Sequence, residues 1–69
     1  MNDTDNLYSL ALAADDHFEA AIKAQFGSSA SRWDHREATY NAATLAAREA
    51  KYTADAALRR AVRAELRQA

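Results

Sequence analysis

Gly27-Ser28-Ser29-Ala30-Ser31 holds the only glycine of the chain and three of its four serines, and no proline occurs anywhere. The rest is dominated by Ala, Leu, Arg, Glu, Lys and Gln, the residues that lose least on entering a helix. This pentapeptide is therefore where a helical chain must break. The sequence reads as all-α: two helices folded back on each other around one connection, an antiparallel hairpin with a longer second helix.

Upstream of the break, the spacing predicts a helix over about residues 5–26. Asp3 or Thr4 can accept hydrogen bonds from its first N–H groups, and Asp3 and Asp5 suit the positive end of the dipole. At ~100° per residue, Leu7, Leu10, Ala11, Ala14, Phe18, Ala21, Ile22 and Gln25 share one face, with Asp16, Ala20 and Lys23 opposite. Gly27 is placed to take the left-handed conformation that closes a helix.

Downstream, both Ser31 with Asp34 and Asp34 with Glu37 resemble capping boxes. Asp34 is the preferred cap, because Trp33 then sits just outside and can fold over Ala38 as a hydrophobic staple. The connection is then about residues 27–33 and the second helix about residues 34–67, roughly 50 Å long against about 33 Å for the first. Tyr40, Ala43, Ala47, Ala50, Ala54, Leu58, Ala61 and Val62 form its main stripe, where small side chains let another helix approach closely. Leu45 and Tyr52 project well away from it, beside Arg59 and Arg63, with Arg48 and Leu66 between.

With 69 residues, the chain holds one domain, residues 1–69, and cores of this size rarely supply more than about 3–5 kcal/mol. The absence of Cys excludes a disulfide scaffold, a Cys-based zinc site and a Cys nucleophile. No apolar run approaches the ~18 residues of a membrane span. The start Met1-Asn2-Asp3-Thr4-Asp5 also differs from a basic leader, so a cytoplasmic protein without membrane contact is expected.

Charge is split along the chain. Residues 1–30 carry five acids and one base, residues 31–69 eight bases and five acids, for a net charge of -1. That total argues against both a simple polyanion binder and a whole-molecule mimic of nucleic acid. Its polarity favours antiparallel pairing of the two helices.

Nineteen residues are Ala, which bury little area each, so one helix–helix interface leaves large side chains over. Tyr8, Leu12, Phe26, Leu45, Tyr52 and Leu66 look toward a second surface. Homodimerisation into a four-helix bundle would cover them. Leu7, Leu10, Phe18, Ile22, Leu45, Leu58 and Val62 are the expected core and dimer residues.

Little in the sequence supports catalysis. His17 and His35 lack a ligand partner at i+4, and no metal or other cofactor is expected. Asp15, Asp16 and Glu19 read as a solvated acidic edge, since two helices do not easily enclose the water-poor pocket that acid–base work needs. Arg59, Arg60, Arg63 and Arg67 complement the dipole at a helix C-terminus; alternatively they clamp phosphate or carboxylate. Trp33 and Tyr40 either cap the open end of the hairpin or serve as interaction anchors, with Arg32 and Arg36 adjacent.

Leu7-Tyr8, Ala13-Ala14-Asp15, Phe18, Phe26-Gly27, Arg32-Trp33 and the Ala/Arg helix beyond Asn41 resemble the short reading frames of phages and mobile elements in high-GC proteobacteria. These include host-takeover factors such as anti-CRISPR proteins and a dimeric helical-hairpin inhibitor of quorum sensing. The resemblance implies a stoichiometric binder without an active site.

The sequence thus points to a non-enzymatic module that contacts a host protein and inhibits it. The expected contact residues are Arg32, Trp33, Arg36, Tyr40, Arg48, Tyr52, Arg59 and Arg63. The alternatives are a nucleic-acid-binding dimer that uses the basic second helix, and a phage assembly helper.

Overall fold

Asp3–Phe26 forms one α-helix (α1) and Ala42–Gln68 a second (α2) in the computed structural model, which describes residues 3–68. Met1, Asn2 and Ala69 lie outside the described residues, and with them part of the stretch read above for a leader. Between the helices run two short 3₁₀ turns, Arg32–Asp34 and Glu37–Thr39. Among the described residues there is no strand, and no helix is long and apolar enough to cross a membrane.

The helices are antiparallel. Thr4 donates its hydroxyl proton to Glu65 at the open end, Lys51 reaches Asp15 midway, and the Thr44 hydroxyl approaches the Ala21 carbonyl near the tip. Both Asp3 and Thr4 lie inside α1, so neither is the residue that precedes it. Gly27 closes α1 as expected: its φ is +117°, a region that favours glycine, and its N–H reaches the Lys23 carbonyl at 2.9 Å.

The seam is narrow. Ala11, Phe18 and Ile22 of α1 are buried, and Thr44 and Ala47 of α2 meet them. Phe18, Ile22 and Ala47 form the core cluster, with Ala21, Phe26, Ala30 and Tyr40 packed partly against it. A β-branched hydroxyl and a methyl are all that α2 contributes at full burial.

The sequence expectation is corrected at the start of α2. The helix begins at Ala42, not Asp34, so the connection spans residues 27–41. Ser, Trp, Asp, His, Thr, Tyr and Asn are weak helix formers, and their side chains compete for the backbone. Ser31 Oγ accepts from Trp33 N–H at 3.3 Å, and Thr39 Oγ1 donates to the Arg36 carbonyl at 2.6 Å. Asn41 is the cap, its Oδ1 accepting from Thr44 N–H at 2.9 Å. Gln25 clamps this junction from α1: its Nε2 donates to the Thr39 carbonyl at 2.7 Å, and its Oε1 accepts from Asn41 N–H at 2.9 Å.

Tertiary packing completes the correction. His35 lies between the 3₁₀ turns, rather than in a helix, and stacks on Phe26 with ring centroids 3.8 Å apart. Tyr40 precedes α2 and sets its ring edge-on to Phe18 at 5.9 Å. Trp33 does not staple Ala38; it is 82% exposed. With 27 residues against 24, α2 is still the longer helix, but only by about 4.5 Å at ~1.5 Å per residue, and the large overhang disappears.

The expected faces are also rotated in part. Phe18 and Ile22 are core, and Leu7, Leu45 and Leu58 are half-buried, but Leu10 and Val62 are exposed. Leu10 sits about 100° from Ala11 around α1, on a flank that α2 does not cover. On α2 the contact line runs through Thr44 and leaves Ala43 and Ala50 exposed.

Two substitutions separate the observed cap from the expected one. Asn41→Ala is expected to cost about 1 kcal/mol of stability, whereas Asp34→Ala should stay within about 0.5 kcal/mol. Urea unfolding followed by circular dichroism measures both, and a cost at Asp34 with none at Asn41 would return the helix start to Asp34.

Candidate aromatic and cationic cleft

The extended connection reaches back over the flank where α1 and α2 meet. Arg32 and Trp33 come from the first 3₁₀ turn, Tyr40 from the end of the connection, and Arg48, Lys51 and Tyr52 from the first turns of α2. Together with Phe18 as floor they line an open concavity of about 240 Å³. Trp33 and Tyr52 are its exposed π-faces, the latter 49% accessible.

Asp15 organises this site from α1. It pairs with Arg32, and Lys51 Nζ lies 3.6 Å from the same carboxylate oxygen. Lys51 also holds Asp55 at 2.6 Å, one turn further along α2. Asp15 thus ties the connection to α2, which corrects its reading as part of a solvated edge; Asp16 remains exposed. The hydrogen bond from Arg32 holds the Asp15 carboxyl below the usual carboxylate range. Partial burial opposes that shift, and the Arg32 and Lys51 charges reinforce it. Asp15 in turn raises the pKa of the Arg32 guanidinium.

Both of these rings, Trp33 and Tyr52, carry a cation. The Arg32 guanidinium lies 5.0 Å from the Trp33 ring centre, and that of Arg48 lies 4.4 Å from the Tyr52 ring. Arg48 is held from its other side by Glu37 at 3.0 Å, across from the second 3₁₀ turn. Guanidinium stacking leaves N–H donors free at the edge while the ring keeps one face open. The cleft therefore offers apolar planes and hydrogen-bond donors in one place, held by ion pairs on both sides.

Of the expected contact residues, Arg32, Trp33, Tyr40, Arg48 and Tyr52 are brought together here. Arg36 is exposed beside the cleft and supplies the carbonyl that Thr39 uses. Arg59 is exposed further along α2 toward the open end, and Arg63 lines a separate shallow groove with Arg60, Ala64 and Arg67. Sequence reasoning did not single out Lys51, whose i, i+4 spacing to Asp55 was a readable signal. Glu37, expected in a capping box, pairs with Arg48 instead. His17 is exposed, and among the described residues no three His, Asp or Glu side chains converge as metal ligands.

Comparison with known proteins gives no match to this chain among protein-family models, curated proteins or solved structures.

The Asp15 pairing has a pH signature. A carboxyl whose folded-state pKa is depressed contributes stability that is fully present above the unfolded value of about 4 and is lost as pH falls through the folded value. Asp15→Asn is expected to cost up to about 1 kcal/mol near neutral pH. Its stability curve should converge on that of the parent below about pH 4. Unfolding midpoints taken across this range check the point; a difference that persists undiminished into strong acid would remove Asp15 as its source.

Proposed function

We propose that this chain is a non-catalytic protein-binding module that acts by direct contact in the cytoplasm, with the Arg32, Trp33, Arg48 and Tyr52 cleft as its contact surface. The observation that carries this reading is Trp33, which is 82% exposed on a backbone that is itself held. Its backbone N–H is held by Ser31, and its neighbour Arg32 is anchored to Asp15. Leaving so large an apolar ring in water has a cost that a merely structural connection would avoid. Trp, Tyr and Arg are also the residues that dominate interface energetics. A connection of fifteen residues, 27–41, is longer than a hairpin requires, and connections of that length are usually functional.

The cleft favours contact over chemistry. Its walls are cations and aromatic rings, and the carboxylates around it are engaged in ion pairs with those cations. In a chain that resembles small host-takeover factors, such contact inhibits a host protein by covering the surface it uses.

A second reading rests on a different observation. Among the described residues no ion pair involves Arg59, Arg60, Arg63 or Arg67, and three of these line the groove near the end of α2. Guanidiniums free of acidic partners suit phosphate. That version expects nucleic-acid affinity that falls steeply with added salt, and Arg60→Glu with Arg63→Glu abolishes it.

Affinity capture from host lysate, read by mass spectrometry, tests the cleft. Trp33→Ala combined with Tyr52→Ala is expected to reduce recovery of the partner by at least about tenfold, because hot-spot truncations cost ~2 kcal/mol or more each. The Arg60→Glu, Arg63→Glu pair should leave capture intact. Recovery unchanged by the aromatic double substitution sinks the assignment.

A further inference from the structure

The exposed apolar side chains are not scattered. From Ala11, at ~100° per residue, Tyr8 and Leu12 turn toward the same side of α1 as Asp15. From Ala47, Tyr52, Val62 and Leu66 turn toward the same side of α2 as Lys51. Because Lys51 reaches Asp15, these two sides are one flank of the hairpin. Tyr8 is 56% exposed, Leu12 51%, Val62 39% and Leu66 69%. Trp33 and Tyr52 lie on that flank at the tip, and Leu10 is the large apolar residue left on the other.

Charge on this flank is divided between the helices. The α1 strip carries Asp5, Asp15, Asp16 and Glu19 against Lys23; the α2 strip carries Arg48, Lys51, Arg59 and Arg63 against Asp55. The two strips are opposite in sign and equal in size.

We infer that the occupant of this flank is a second copy of the chain. The two copies meet flank to flank about a two-fold axis parallel to the helices. That axis lays the acidic α1 of each protomer antiparallel on the basic α2 of its partner, whereas the perpendicular axis would lay α1 on α1. It also keeps the open ends together, so that Tyr8, Leu12, Val62 and Leu66 from both copies share one cluster. The result is a four-helix bundle in which each helix has antiparallel neighbours. The area suffices: a molecule 45 Å long and 22 Å across offers a face on the order of 1,000 Å², above the ~800 Å² per partner of a standard interface. The apolar contacts of this interface, Tyr8, Leu12, Val62 and Leu66, lie outside the cleft. Arg48 and Lys51 of the cleft nevertheless belong to the α2 strip, and Trp33 and Tyr52 to the same flank. A second copy and a partner seated in the cleft therefore compete for the tip of the hairpin.

Sedimentation equilibrium above the micromolar range that interfaces of this size reach gives a mass twice 7.6 kDa. Leu12→Lys with Leu66→Lys halves it while far-UV circular dichroism stays helical; Leu10→Lys leaves it unchanged. The chain has no cysteine, so single introduced thiols report geometry directly. Val62→Cys, close to the axis, cross-links to itself under mild oxidation, and Leu10→Cys does not. Should the double lysine variant fail to fold, the Val62→Cys result in the otherwise unchanged chain decides. A 7.6 kDa particle for the parent, a dimer that survives both lysines, or equal cross-linking from the two flanks overturns the inference.

Discussion

Ile22 has no accessible surface, and what α2 sets against its cluster is Ala47, with Thr44 buried nearby against the Ala21 carbonyl, side chains with almost no reach of their own. The rest of the molecule follows from that narrow contact. Small residues let two helices approach closely, but close approach through methyl groups buries little area per turn. The large rings that could have thickened the seam lie instead at its tip, where Phe18, Phe26, Tyr40 and His35 pack around the end of the hairpin. This cluster gives the connection a reason to fold back instead of extending α2.

That folding back converts a short reversal into a surface. Once Tyr40 and His35 are drawn onto Phe26, Arg32 and Trp33 are carried over the flank of α2. There Asp15 fixes Arg32, and Arg48 meets Glu37. The ion pairs are partly exposed and individually weak. Their effect is geometric: they hold cations against rings, and Trp33 and Tyr52 present ring faces to solvent. Core, connection and cleft are thus one consequence of where the aromatic residues fall.

Most of the architecture was legible in composition and spacing. The break at Gly27, the helix before it, the longer helix after it and their antiparallel pairing all follow from helix propensity, one glycine and a charge asymmetry. Five of the eight expected contact residues also come together. The misplacements have physical causes. Asp34 and Asn41 are both good caps, and the weak helix formers between them, His35, Thr39 and Tyr40, lower helix preference there by too little for a local reading to choose. Leu10 and Phe18 fit the same broad arc, but a partner helix with so thin a seam covers only part of it.

The sequence by itself determined that this chain would be helical, where it would reverse and which residue would take positive φ, because those depend on backbone preferences that each residue carries locally. Tertiary structure alone decided that residues 34–41 would not be helix, that Asp15 would bind Arg32 and Lys51, and that Trp33 would stand in solvent. Those outcomes depend on distances between residues far apart in the chain. The gain from placing Tyr40 and His35 on rings of α1, with Gln25 clamping Thr39 and Asn41, outweighs two turns of intrinsic helix, and no local window contains both sides of that comparison.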